Sequence, residues 1–161
     1  MERLEQFKSP IMVIAAHPDD AEIQCGGTVH RLIQEGKEVI YVICTTGNLG
    51  SHSPDITSEE LAAIRSGEQL QAAAELGVTE VNILNYNDGD LCFHAKELRE
   101  DLVRLIRQYR PQTVLTHDFF AGIGTYTVCH LHPDHRTTGM VAFDSCFFFA
   151  DGPLSYPGHI R

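Results

Sequence analysis

The sequence predicts an α/β protein with a Rossmann-like, doubly wound, mostly parallel sheet and helices on both faces. Two observations predict this class. Short apolar runs rich in β-branched residues alternate with longer segments whose apolar positions recur at helical spacing. The runs are apolar throughout, which is typical of parallel strands buried on both faces. Strands that alternate with helices in this way form right-handed βαβ units.

The pattern gives four strands and four helices. The predicted strands cover residues 11–16, 38–44, 80–84 and 113–116. The predicted helices cover residues 21–35, 58 to about 76, 95–109 and about 134–148. Gly36, Gly77 and Pro111 end the first three helices. With the strand order 3-2-1-4, the first and fourth strands would flank the crevice where open α/β sheets bind ligands.

Composition excludes several classes of protein. The 161 residues carry a formal net charge of -10, which argues against nucleic acid or an anionic membrane surface as a partner. No apolar run is long enough to span a bilayer, and the polar first ten residues do not resemble a signal peptide. The five cysteines are odd in number and show no CxxC spacing, so we expect reduced thiols in a cytoplasmic protein.

The chain is interpreted as a single domain over residues 1–161. Residues 155–161 lie where another strand would begin, and we therefore expect the C-terminal part of the domain to be missing.

Two polar runs, HPDD at residues 17–20 and HPDH at residues 132–135, carry the chemistry. The first follows the first strand, and the second follows the loop after the fourth strand, so both would face one crevice. A catalytic zinc takes three protein ligands and a water, and imidazole and carboxylate are suitable ligands. One histidine and one carboxylate from the first run, with one histidine from the second, would complete such a site. One carboxylate and one histidine would remain for proton transfer. The structural alternative is a pair of polar turns.

The sequence resembles the PIG-L (LmbE-like) family of zinc-dependent N-acetylglucosaminyl deacetylases. The resemblance rests on AHPDD at 16–20 with GGT at 26–28, and on TG at 46–47 with GS at 50–51. It also rests on Arg65 with Glu68, on YNDG at 86–89 and on the HPDH run.

The resemblance implies roles by position. His17, Asp20 and His135 would hold Zn²⁺. Asp19 would be the general base, and His132 would stabilise the oxyanion or act as an acid.

It also implies supporting roles. Asp134 would orient a histidine, and Arg65 and Asp88 would contact the sugar. The sequence departs from the family pattern after HPDD. Many members have Glu directly after this motif, whereas here Ala21 comes first and Glu22 follows.

The resulting hypothesis is a zinc-dependent amide hydrolase that releases acetate from a small-molecule N-acetylglucosamine conjugate, in a possible homotrimer or hexamer. A metal phosphoesterase is the first alternative, although no Arg/Lys set accompanies the motifs. The second is a non-catalytic metal- or sugar-binding module, against which the intact Asp19 and His132 argue. Loops 45–57 and 117–130 would select the substrate, and His130 is a weaker candidate for lining the cleft.

Overall fold

Four parallel strands form the sheet at the centre of the protein. A computed structural model describes residues 4–119, 132–152 and 154–159. The strands are β1 (Ile11–Ala15), β2 (Val39–Thr45), β3 (Glu80–Tyr86) and β4 (Thr113–Thr116). Their order is β3-β2-β1-β4, and each neighbouring pair is parallel. The predicted order is therefore confirmed. The direction in which successive strands are added to the sheet reverses between β1 and β4.

The four helices follow the predicted order closely. They are α1 (Asp20–Gln34), α2 (Ser58–Leu76), α3 (Ala95–Tyr109) and α4 (Pro133–Asp144). Helix α2 begins with a capping box, in which the side chains of Thr57 and Glu60 each accept a hydrogen bond from the other residue's main-chain N–H. It ends at Gly77, whose φ of 91° is one that glycine adopts without strain. None of the helices within the described ranges is long and apolar enough to cross a membrane.

Successive residues of the central strands point to opposite faces of the sheet. On β1, Met12 and Ile14 pack in one core with residues of α3 and α4. Ile11 and Val13 pack in a second core with residues of α1 and α2. All four side chains are at most 3% exposed, which explains why the strand is apolar at every position.

The end of the last helix differs from the prediction. The sequence predicts one helix to about residue 148, whereas α4 ends at Asp144 and a π-helical turn covers Ser145–Phe149. The buried Arg107 of α3 donates hydrogen bonds to the carbonyl oxygens of Phe149 and Ala150. The wider turn brings these carbonyls to the guanidinium group, a tertiary contact that helical periodicity does not reveal.

Candidate metal centre and active site

The two motifs meet at the carboxyl ends of β1 and β4. His17 comes two residues after the end of β1, and Asp20 begins α1. His132 is the N-cap of α4, and His135 lies in its first turn. The order β3-β2-β1-β4 makes β1 and β4 neighbours, so residues far apart in the chain share one crevice.

His17, Asp20 and His135 converge on one point. The Nδ1 atom of His17 lies 3.2 Å from Nε2 of His135 and 3.3 Å from Oδ2 of Asp20. The Nε2 atom of His135 lies 3.1 Å from Oδ1 of Asp20. Ligand atoms of a tetrahedral zinc, at about 2.0–2.1 Å from the metal, lie about 3.3–3.4 Å from one another. Two imidazoles and a carboxylate with this spacing fit a divalent metal such as zinc.

A wider ring of potential ligands surrounds these three. Within the described part of the chain, further overlapping trios have ligand atoms within 4.8 Å of one another. The trios are His17, His132 and His135; Asp20, His117 and His135; and His17, Asp88 and Asp134.

The far side of the His17 ring faces two carboxylates. Its Nε2 lies 3.0 Å from Oδ1 of Asp88 and 3.2 Å from Oδ2 of Asp134. Burial lowers the pKa of His17, but hydrogen bonds to Asp134, Asp20 and Asp88 outweigh that effect and raise it to about 11. A carboxylate on the nitrogen away from the metal fixes the orientation and proton position of a ligating imidazole.

Asp134 is itself anchored by the main chain. The side chain is 0% exposed. Its carboxylate accepts hydrogen bonds from the N–H groups of Gly89 at 2.7 Å and Leu91 at 3.2 Å. These hydrogen bonds connect the turn after β3 to α4, and the Asp134 side chain also contacts His17.

His117, which no sequence motif marks, also lies in the cluster. This buried residue directly follows β4, its ring stacks on that of His135 at 4.2 Å, and its Nε2 accepts a hydrogen bond from the Ala16 N–H. The same Nε2 lies 3.5 Å from Oδ2 of Asp20. Burial raises the pKa of Asp20, but the neighbouring imidazoles of His117, His135 and His17 outweigh that effect and hold the pKa far below its ordinary value. The position of His117 at a strand end was the signal that could have found it.

Asp19 and Arg65 form a pair at the edge of the cluster. The guanidinium Nη2 lies 2.7 Å from Oδ2 of Asp19, and it also donates to the carbonyl oxygen of Pro18. Burial raises the pKa of Asp19, and the charge of Arg65 opposes this effect, with a net rise. The Asp19 side chain is 53% exposed, which leaves it open to a substrate. Arg65 therefore contacts the predicted base, and it is not paired with Glu68.

His132 completes the ring from the α4 side. Its Nδ1 accepts a hydrogen bond from the Asp134 N–H at 3.2 Å. A neutral imidazole with Nδ1 as acceptor carries its proton on Nε2. Burial and the charge of His17 lower the pKa of His132, which favours this neutral form. The ring meets that of His17 edge to face, with centroids 4.7 Å apart.

Asp88 lies in the turn after β3. Its main-chain N–H donates to the side chain of Asn48, and its carboxylate contacts His17, whose hydrogen bond lowers the pKa of Asp88. The predicted residues thus lie together, six of them in the cluster and Asp19 with Arg65 at its edge. His130 lies outside the described residues.

Comparisons with known proteins identify relatives of this chain. The sequence profile of the PIG-L family, described as GlcNAc-PI de-N-acetylase, matches residues 12–146. The diacetylchitobiose deacetylase of Thermococcus kodakarensis is 33% identical over 138 residues, which cover 86% of this chain and 49% of the relative. The 1D-myo-inositol 2-acetamido-2-deoxy-alpha-D-glucopyranoside deacetylase of a Nocardioides species is 32% identical over 167 residues, covering 84% of this chain and 53% of the relative.

A solved structure shows the same fold. The N,N'-diacetylchitobiose deacetylase of Pyrococcus horikoshii, in complex with the inhibitor MPG, matches with a TM-score of 0.83 and 36% identity. The match covers 92% of this chain and 52% of that protein, so the chain spans about half the length of the relatives it matches. The profile match over most of the sequence, including both histidine-aspartate motifs, assigns the family. The chain belongs to the PIG-L family of GlcNAc-PI de-N-acetylases.

Proposed function

We propose that this chain is a zinc-dependent deacetylase that hydrolyses the N-acetyl group of an N-acetylglucosamine-containing small molecule. The observation that carries the proposal is the convergence of His17, Asp20 and His135 at 3.1–3.3 Å, with Asp19 beside them. The relatives above are named as deacetylases of such sugars, which supports the same reaction class.

In this proposal His17, Asp20 and His135 hold the metal. A bound Zn²⁺ would supply a Lewis acid for the carbonyl oxygen and would lower the pKa of the attacking water. Two imidazoles and one carboxylate would leave a coordination position for water or substrate, as in other catalytic zinc sites.

The Asp19 carboxylate acts as the general base. It takes a proton from the water as the water oxygen bonds to the amide carbon, and it returns a proton to the nitrogen as the C–N bond breaks. The products are acetate and the free amine of the sugar. The Nε2–H of His132 donates a hydrogen bond to the oxygen that gains negative charge, because its Nδ1 is held by the Asp134 N–H.

Two grooves reach the site and provide room for a substrate. One of about 520 Å³ lies beside Asp19 and Arg65, between α1, α2 and the loop after β2. The other, of about 480 Å³, lies beside Asp20 and His117 along β4. In this proposal the groove beside the base receives the sugar, where Arg65 would contact its hydroxyl groups. Asp88 lies outside that groove, beside Nε2 of His17, and would contact the sugar from there.

A phosphoesterase is the competing enzyme class. Arg65, the cation beside the site in the described part of the chain, is already paired with Asp19. A phosphate would therefore have to compete with that carboxylate, which disfavours phosphoester substrates.

The test uses the 161-residue chain and measures acetate released from diacetylchitobiose and other N-acetylglucosamine conjugates. We expect acetate release that a chelator abolishes and zinc restores, and we expect loss of turnover with retained zinc in Asp19→Asn. Phosphate release from phosphoesters without acetate release would favour the phosphoesterase. Zinc binding without any hydrolysis would favour a binding module.

A further inference from the structure

The main chain of Asp19 has an uncommon conformation. Its φ of 108° and ψ of -27° lie at positive φ, where residues other than glycine are rare. Asp19 is the N-cap of α1, yet its side chain makes no capping hydrogen bond. Such conformations persist only where the surroundings hold them, and they concentrate at functional sites.

Gln69 of α2 holds the main chain at this position. Its side-chain Oε1 accepts a hydrogen bond from the Asp19 N–H at 2.9 Å. Gln69 is only 2% exposed although it is polar. A buried amide in a helix is costly unless both of its ends are hydrogen-bonded, and in Gln69 both ends are.

The other end of the amide is fixed by Glu22. The Nε2 of Gln69 donates to Oε1 of Glu22 at 3.0 Å. A carboxylate only accepts and a main-chain N–H only donates, so the amide can satisfy both neighbours in one orientation alone. Glu22 therefore sets the direction of the Gln69 side chain.

Helix α2 contacts the motif at two points one helical turn apart. Arg65 binds the carbonyl oxygen of Pro18 and the carboxylate of Asp19, and Gln69 binds the N–H of Asp19. Residues four apart lie on the same helix face, so one face of α2 hydrogen-bonds to both the side chain and the main chain of Asp19.

We propose that Gln69 is a positioning residue that holds Asp19 in its positive-φ conformation and thereby aims the catalytic carboxylate. This inference rests on the proposed role of Asp19 as the base. Gln69 lines the groove beside Asp19 but is almost fully buried, and we assign its effect on the reaction to the hydrogen bond with the Asp19 N–H.

The first test is Gln69→Met, which keeps the side-chain length and removes both hydrogen bonds. Exchange of the Asp19 amide hydrogen, followed by NMR, should become faster because its acceptor is lost. The kcat for acetate release should fall by roughly 10- to 100-fold, as is typical for residues that orient a functional group, with KM changed by less than about two-fold. Gln71→Met, on the exposed side of the same helix, is the matched control and should behave as the wild type.

A rescue experiment separates positioning from a loss of stability. Gln69→Glu keeps an acceptor for the Asp19 N–H but places a carboxylate against Glu22, and kcat should fall. Adding Glu22→Gln restores a donor between the two side chains, and the double variant should recover most of the kcat and the slow Asp19 exchange.

Two results would overturn the inference. One is unchanged exchange of the Asp19 amide in Gln69→Met, which can be measured even if the wild type releases no acetate. The other is faster exchange with a kcat equal to that of an active wild type. Absence of acetate release from the wild type itself would count against the proposed function and would leave the exchange result to decide whether Gln69 holds Asp19.

Discussion

Replacing Asp134 should destabilise the fold even without metal. Its fully buried carboxylate accepts hydrogen bonds from the N–H groups of Gly89 and Leu91 and contacts Nε2 of His17. In Asp134→Ala both N–H groups lose their acceptor. Leu91 is buried, and its orphaned donor costs about 1–3 kcal/mol, whereas Gly89 is exposed and its N–H can bond to water, so the free energy of unfolding should fall by about 1–3 kcal/mol. Asp134→Asn keeps one carbonyl oxygen but turns an NH₂ group toward a main-chain N–H donor. Its free energy of unfolding should therefore fall by about half as much.

The assay is urea unfolding of the chelated protein, followed by circular dichroism. Both variants should unfold at lower urea with an unchanged slope, because the surface exposed on unfolding is the same. Asp55→Asn, in an exposed loop, is the matched control and should change the free energy of unfolding by less than about 0.5 kcal/mol. If Asp134→Asn were as stable as this control, the inference that the Asp134 carboxylate stabilises the fold by connecting the β3 turn to α4 would be refuted.

Replacing Asp134 should also weaken metal binding. Loss of the carboxylate that orients His17 should reduce zinc affinity by roughly 10- to 100-fold, measured by competition with a chromogenic chelator. A loss of stability with unchanged zinc affinity would restrict Asp134 to a purely structural role.

Three further outcomes follow from the fold. Gly139→Ala should cost about 1–3 kcal/mol, because its Cβ would clash with the carbonyl oxygen of His117. Gly27→Ala meets nothing within 4 Å and should stabilise α1, and thermal unfolding of the two variants checks both expectations. Arg107→Met should expose residues 149–152 and 154–156 to limited proteolysis, because five carbonyl oxygens in these segments lose their donor; unchanged cleavage would contradict this. Thr57→Ala should lower stability by about 0.5–2 kcal/mol at neutral pH. The main-chain N–H and the side-chain hydroxyl of Thr57 donate to Glu60 and lower its pKa. The part of the wild-type advantage that comes from the hydroxyl donor should be complete above the ordinary value of 4.5 and should be lost as the pH falls through the lowered pKa, whereas the part from the Thr57 oxygen that accepts the Glu60 N–H should persist. A wild-type advantage that does not change with pH would contradict this.

The architecture could be predicted because it depends on patterns local to each segment. The apolar runs and helical spacing gave the bounds of α3 and β4 without error. The strand order 3-2-1-4 was the condition under which the two histidine-aspartate motifs would share one crevice, and the sheet has that order. The π-helical turn at Ser145 could not be predicted, because it depends on Arg107 from another helix.

The residues that form the candidate site were predicted more completely than the contacts between them. Motif spacing and family resemblance named His17 and its neighbours, and the structure brings them together. His117 was missed because a single histidine after a short strand has no motif around it. Gln69 was missed because its burial follows from contact with α1, which the spacing of α2 does not encode.

The central claim is that His17, Asp20 and His135 hold one metal ion. Anomalous diffraction at the zinc edge from crystals of the zinc-loaded chain tests it most directly. The account predicts one peak per chain, at about 2.0–2.2 Å from Nδ1 of His17, a carboxylate oxygen of Asp20 and Nε2 of His135. A peak bound by His117 in place of His17, or no peak between these three residues, would contradict it.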